Sequence, residues 1–460
     1  MNPEMNQAMN QEMNQENKEM NVSAFSDSVF AAAKAAGVDP AEICVSQSES
    51  FSVRVRGGKL EDYKVSDRFN ITLRGVSGGR IGTASTQALD EESVGMLIQG
   101  VKESAEVIET DEQDEILPPD EAYGAVCNYS EALREVSAQD KIALAMRIDA
   151  RLAAADARLT PDSTTVATSE ETMTLRNTLG LDLTHSSNMI YAYAGALAKD
   201  GEQTATGFKL LWGYSPEDVD AIALADGCAQ DALEKLGAGR MTSGARPVVI
   251  RNGAMADLLS TFCGVFSADN AQKGLSLLAG KEGETIASGC VTLVDDPLMP
   301  WGLGSAPFDR EGAATMKKNV IENGVLTTLL HNRKTARAAG VKTTGNAAGA
   351  GHVSPSNLFI APGEKGMETL LEEMGEGLYL TEVSGLHAGA NAVSGDFSLL
   401  ARGFEVCGGK AVRAVEQITV AGNFYQLLRD ITAVASDLLF EGSPIGSPSV
   451  AVKSLNIAGE

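Results

Sequence analysis

Between residues 51 and 84 apolar and polar side chains alternate with a period of two, and glycine pairs break the alternation twice. Period two puts every second side chain on one face of a strand, so residues 51–56, 60–65, 70–74 and 80–84 read as two hairpins. They turn at Gly57-Gly58-Lys59 and Val76-Ser-Gly-Gly79. Helical spacing replaces the alternation over 23–36, 88–106 and 138–155, with an acidic, proline-bearing connection at 110–121 between the last two. Strands return at 164–168, 173–177, 181–198 and 205–213 as an antiparallel meander. Ser215 and Pro216 then cap a helix predicted to run to about Leu236. Farther on the pattern predicts strands at 247–250, 378–383, 397–405, 411–420 and 449–457. It predicts helices at 253–262, 333–339, 366–375 and 423–439.

One stretch stands apart. The apolar run Val291-Thr-Leu-Val294 ends in Asp295, Asp296 and Pro297. A glycine-rich segment follows before Asn319-Val-Ile resumes the pattern across the turn Glu322-Asn323-Gly324. Asn-Gly between apolar runs signals a tight hairpin, because both residues tolerate positive φ. A loop of about twenty residues is longer than a simple connector needs. Its Pro300, Trp301, Pro307 and Phe308 predict a loop packed on a sheet, with the indole buried.

These elements predict an α+β chain of two domains: an antiparallel sheet with helices over 22–240, and a strand-rich, mixed-sheet or barrel-like domain over 241–460. The boundary falls where Gly, Ser and Thr crowd together at 237–246. Residues 1–21 repeat Met-Asn with Glu and Gln and read as a disordered tail, having neither the basic start nor the apolar run of a secretory signal. A length of 460 residues fits two cores. The charge changes the functional picture: 37 basic against 62 acidic side chains leave −25, which repels phosphate backbones and anionic lipid, so neither nucleic acid nor a membrane is an expected partner. Six cysteines without a CxxC pair suit reduced thiols in a cytoplasmic protein.

Candidate chemistry is sparse. A catalytic metal needs three protein ligands around an open position, and the four histidines, His185, His331, His352 and His387, never pair at helical spacing. His352 and His387 lie in glycine-rich loops (residues 344–352 and 385–391) and with Cys407 form the one candidate set for a metal or an independent hydrolase. Isolated loop histidines are ordinarily solvated or bonded to backbone. The Gly-x-Ser-x-Gly match at 75–79 falls in a hairpin turn and not in a strand-to-helix elbow. No phosphate-cradling glycine motif is present. Asp295-Asp296 beside Pro297 reads as a turn cap rather than a catalytic acid pair.

Ordered blocks resemble the TldD/PmbA family, the modulators of DNA gyrase. They are Phe266-Ser-Ala-Asp-Asn-Ala-Gln-Lys-Gly274, Asp295-Asp-Pro-Leu298, Gly304-Ser-Ala-Pro-Phe-Asp-Arg-Glu-Gly312, Thr344-Gly-Asn346, Pro355-Ser-Asn-Leu358, Gly377-Leu-Tyr-Leu-Thr-Glu-Val383 and Ile418-Thr-Val-Ala-Gly-Asn423, with Val53-Arg-Val-Arg-Gly-Gly58 earlier in the chain. The resemblance implies that TldD-like members bind a zinc for peptide hydrolysis through an HExxxH helix and a late cysteine loop. Counting back from Gly274, the corresponding positions here hold Leu259, Ser260 and Gly264, and the cysteine loop is missing. The chain therefore resembles the TldE/PmbA branch, which implies no cofactor of its own, zinc in a TldD-like metalloprotease subunit as partner, and extended or unfolded peptides as the material handled. Asp269, Asn270, Lys273, His352 and His387 are the candidate contacts to peptide or partner. A homodimer is expected when the chain is alone, and a regulatory gyrase-binding protein is the non-enzyme alternative.

Overall fold

The computed structural model describes residues 22–107, 115–349 and 351–460. The tail expected over 1–21, and most of the first half of the acidic connection, lie outside the described residues. The described chain forms two compact units. One draws on the segments up to Ser50, Val65–Ala122 and Ser169–Ser187, and the other on Phe51–Lys64, Tyr123–Thr168 and Asn188–Glu460.

The first sheet has six strands, β1 (Ala41–Arg56), β2 (Lys59–Ser77), β3 (Arg80–Thr86), β4 (Leu159–Asn177), β5 (Asp182–Asp200) and β6 (Gln203–Gly213), ordered β3-β2-β1-β4-β5-β6. Strands are longer than the alternation suggested. Residues 66–69 and 169–172, polar enough to resemble breaks, continue β2 and β4, because a strand whose faces are partly exposed has no need of apolar residues there. In one unit the helix Glu91–Val107 lies directly on β3. A Cβ at Gly82 would stand 1.8 Å from the Val101 carbonyl oxygen, so only glycine admits the contact. Ile43, Ile71, Leu73, Leu97 and Val101 fill that core. In the other unit Ser137 caps the helix Ala138–Ala155, and Ile148 and Leu152 pack with Val53, Ile190 and Leu224. The helix predicted from Ser215 is two pieces. Ser215 caps the short 3-10 turn Pro216–Asp218, and Asp220 separately caps the helix Ala221–Glu234.

The C-terminal part contains β7 (Gly244–Ile250), β8 (Leu293–Asp295), β9 (Lys318–Glu322), β10 (Val325–Leu326), β11 (Ala347–Gly349), β12 (His352–Val353), β13 (Leu358–Ile360), β14 (Gly377–Ser384), β15 (Asp396–Cys407), β16 (Lys410–Asn423), β17 (Ile431–Val434), β18 (Ile445–Gly446) and β19 (Val450–Ala458). Strands β16-β15-β14-β7-β19 run in that order and β16 also pairs with β19, so this sheet closes into a barrel with β17 attached to β19. A second sheet, β10-β9-β8-β13-β18, carries the Asn323-Gly324 turn, where both residues take positive φ (49° and 85°). The closing helix expected over 423–439 stops early. Phe424–Asp430 is helical, but the next residues, Ile431-Thr-Ala-Val434, become β17, because a β-branched segment beside an open stretch of β19 gains more from the ladder than from another helical turn.

Candidate functional site

The helix Asn252–Phe262 begins directly after β7 and its buried face carries Met255, Leu258, Leu259 and Phe262 into the barrel-side core. Its start is fixed from a distant part of the chain. Asn252 donates to the Asp437 carbonyl (3.0 Å), the Asp437 carboxylate accepts from Ser449 Oγ (2.7 Å) and Ser449 N (2.8 Å), and Ser449 Oγ accepts from Asn252 N (3.1 Å). The far end stacks Phe262 on Phe424 at 4.7 Å.

The three positions that the resemblance aligns with HExxxH ligands lie on this helix and in the turn after it. Leu259 is wholly buried among apolar side chains, Ser260 is exposed, and Gly264 follows in the turn Cys263–Phe266. A Cβ at Gly264 would meet Asn270 Nδ2 at 3.2 Å, and that amide already donates to the Gly264 carbonyl at 2.8 Å. Among the described residues no three His, Cys, Asp or Glu side chains converge as ligands. This donor set does not fit zinc. Asp257, one turn before Ser260, is the only carboxylate on the helix. Burial first, and then the nearby Glu441 carboxylate, push its pKa up to about 6 against the pull of Arg251.

The candidate contact residues gather unevenly around that helix. Ser267 caps the short helix Ala268–Gln272, where Asp269 is buried and holds Lys273 at 2.7 Å while Lys273 reaches solvent. Asn270, next in sequence to Asp269, stands beside Gly264 through its 2.8 Å hydrogen bond to the Gly264 carbonyl. His352, exposed in the β11–β12 hairpin, belongs to an element that packs near Ala268–Gln272. His387, exposed in the turn Leu386–Gly389, belongs to one that packs near Asn252–Phe262.

The set His352, His387 and Cys407 does not converge. Ser384, just before His387, pairs with Leu400, whereas Val406, just before Cys407, pairs with Gly377 at the other end of the same ladder. Seven strand steps separate the ends by roughly 23 Å. The Cys407 thiol is moreover raised in pKa, first by its hydrogen bond to Glu376, which opposes thiolate formation. Cys263 is likewise raised, mainly by burial.

Most motif residues of the long loop turn out to be polar staples. Asp295 is wholly buried; its Oδ2 accepts from Lys318 Nζ and Asn346 Nδ2, both at 2.8 Å, and its Oδ1 accepts from Ser356 N at 2.7 Å. It is therefore the hub of a buried ion-pair network and no mere turn cap. Asp296 does cap a turn, accepting from Leu298 N at 3.1 Å, and pairs with Lys317 at 2.9 Å. Asn357 donates to the Asp296 carbonyl (2.7 Å) and accepts from Gly304 N (2.8 Å), while Asp309 accepts from the amides of Glu311, Ala313 and Ala347. Trp301 departs from expectation. It is 43% exposed, with φ of 57° and its ring 4.9 Å from Tyr214, because the staples hold the loop without help from the indole. The Asn252–Asp437–Ser449 anchor had no sequence signal, its members being 185 and 197 residues from Asn252.

Sequence profiles of the PmbA/TldA metallopeptidase domain 1, central domain and C-terminal domain match residues 41–106, 131–239 and 243–459. The chain is 27% identical to Metalloprotease PmbA of Escherichia coli O157:H7, covering 92% of this chain and 93% of that one. It is 26% identical to the Metalloprotease PmbA homolog of Haemophilus influenzae, over 91% and 92%. A crystal structure of a Thermotoga maritima MSB8 protein, described as a candidate modulator of a DNA gyrase, superposes with a TM-score of 0.89 at 35% identity, covering 95% of this chain and all of that one. TldE from Thermococcus kodakarensis has the same fold, with a TM-score of 0.86 at 22% identity over 95% and 100%.

Proposed function

Since the chain belongs to the TldD/PmbA family of metallopeptidases, we propose that it is the subunit of a TldD/TldE-type protease that supplies surface and no zinc. One observation supports this reading: the helix Asn252–Phe262 is firmly anchored, yet Leu259 and Ser260 on it, and Gly264 just after it, stand where the resemblance would put the HExxxH ligands. Its partner is a family member that retains HExxxH, and the material handled is extended peptide. Asp269, Asn270 and Lys273 lie near the shared cavity, with His352 and His387 at its margin. The closed barrel changes how peptide is held, because a closed sheet has no long free edge to extend, which leaves loops and short edge strands such as β10, β17 and β18 to make the contacts. Free cysteines throughout the described residues favour a reducing compartment, the cytoplasm. No helix among the described residues is long and apolar enough to cross a membrane. The net charge of −25 does not help the alternative, a role at gyrase, an enzyme that works on DNA.

Co-expression with an HExxxH-bearing relative from the same cell tests the pairing. A stable one-to-one complex through the C-terminal domain is expected. Two chains that elute separately at micromolar concentration would contradict it.

A further inference from the structure

Strands β16 and β19 close the barrel through three pairs only, Thr419 with Ala458, Val420 with Ile457 and Ala421 with Asn456. Beyond the last pair they part. β16 ends at Asn423 and turns into the helix Phe424–Asp430, while β19, with β7 along its other side, regains a neighbour on this side only at Val452, opposite Ile431 of β17. The helix spans the gap, and between it and β19 lies an open cleft of about 430 Å³. That volume falls within the roughly 300–1,000 Å³ of small-molecule pockets. Leu427 and Leu455 give the cleft apolar walls, and Gln426, Asp430, Ser454 and Asn456 give it polar ones. We infer that this cleft binds the guanidinium of an arginine side chain in an extended peptide.

The hydrogen-bonding capacity left in the cleft selects the occupant. Asn423, at its rim, spends both amide hydrogens elsewhere, on the Ser394 carbonyl and on Asp396, each at 2.8 Å. Gln426 donates to Asp430 at 2.9 Å, which leaves the Gln426 carbonyl oxygen without a partner among the described residues. The side chains of Ser454 and Asn456 have none either and can present their oxygens. Asp430 is the one charged side chain lining the cleft. It closes the helix Phe424–Asp430, where the last carbonyls add negative potential. Lys453 touches it at 3.4 Å with a side chain 64% exposed, a loose surface pair that a better donor can displace. Acceptors thus face the cleft from both the helix and the strand. A guanidinium spreads five N–H donors over a plane and can serve both sides at once, whereas an ammonium directs three from a single nitrogen. Leu427 and Leu455 suit the methylene stem. The choice of guanidinium comes from the cleft, and the choice of peptide as its source rests on the proposed function. No residue of the helix Asn252–Phe262 lines the cleft, so binding is expected of this chain without its partner.

Fluorescence anisotropy of the full chain with a labelled Gly-Ser decapeptide carrying one arginine tests this, beside the same peptide with citrulline, a neutral isostere, in its place. The arginine peptide should bind at least about tenfold more tightly, the worth of one charge-assisted hydrogen bond. Asp430→Asn should remove that preference and leave citrulline binding unchanged. Lys453→Gln should tighten arginine binding, because the competing ammonium is gone. Ser454→Arg, at an exposed position, should fill the cleft and abolish binding, with circular dichroism verifying that each variant folds. Equal affinities for the two peptides, an arginine preference that survives Asp430→Asn, or weaker binding by Lys453→Gln would overturn the inference. Free agmatine binding as tightly as the arginine peptide would overturn the assignment to a peptide side chain. Peptide turnover with the partner is read separately, so its failure beside intact arginine binding would reject the proposed function and not the cleft.

Discussion

Replacing Asp295 by Asn changes one atom of a side chain with no exposure, and its effect can be worked out from three contacts. The carboxylate accepts from Lys318 Nζ, Asn346 Nδ2 and Ser356 N, all between 2.7 and 2.8 Å. An amide cannot accept at both ends, so its NH2 must face either the ammonium and amide or the backbone N–H, donor against donor. In the first orientation Lys318, with its side chain only 9% exposed, would retain just the Asn346 oxygen at 2.9 Å, and in the second it would keep a neutral oxygen in place of a carboxylate. Removing one partner of a buried ion pair typically costs about 3–5 kcal/mol, a large share of the roughly 5–15 kcal/mol that holds a protein folded. Lys318→Met should cost a similar amount, since it strands the carboxylate. The double variant should cost less than the sum, with a coupling of about 1–3 kcal/mol. Urea unfolding followed by tryptophan fluorescence is a suitable assay, because Trp212 and Trp301, the only two tryptophans, lie in the same compact unit as the network. A loss below about 1 kcal/mol for Asp295→Asn, or simple additivity in the double variant, would refute the ion-pair account.

Two further perturbations test the electrostatics and the loop. The folded-state pKa of Asp257 is raised to about 6 from 3.8. The native state therefore binds more protons than the unfolded chain between those values, and the native state loses stability as pH rises from about 4 to about 6. Asp257→Asn should be nearly neutral at pH 4 and stabilising at pH 7.5 by about 1 kcal/mol, a figure discounted for the exposure of the side chain; equal melting shifts at both pH values would count against the raised pKa. Trp301→Ala should cost only about 1 kcal/mol, the worth of one aromatic contact with Tyr214, and a loss above about 3 kcal/mol would mean that the indole is a core residue after all.

Local signals were the most legible in the sequence. Helical periodicity, a local signal, marked the helices at 138–155 and 333–339 with the bounds the structure has, and the Asn323-Gly324 turn announced its own positive φ. What the sequence hid was non-local. β17 exists because β19 has a free stretch at Val450–Val452, and barrel closure depends on Thr419–Ala421 meeting Asn456–Ala458, neither of which alters the pattern near residue 431. The candidate site divides the same way. Aligned motifs placed Leu259, Ser260 and Gly264 on one helix and turn, but Asp295, Lys318 and Asn346 are joined across 51 residues, and nothing local distinguishes a buried ion-pair hub from a turn cap. Trp301 was misjudged because an aromatic residue in a long loop ordinarily anchors it; here Asp295, Asn357 and Asp309 do so.

The central claim, that this chain contributes surface and not zinc, is tested most directly by peptide turnover. An unfolded casein fragment would be incubated with the purified chain alone, with an HExxxH-bearing relative alone, and with the two together, each with and without EDTA. Hydrolysis is expected only in the mixture and only without EDTA, with no turnover by this chain alone. EDTA-sensitive cleavage by the chain alone, abolished by no substitution in a co-purifying protein, would contradict the account.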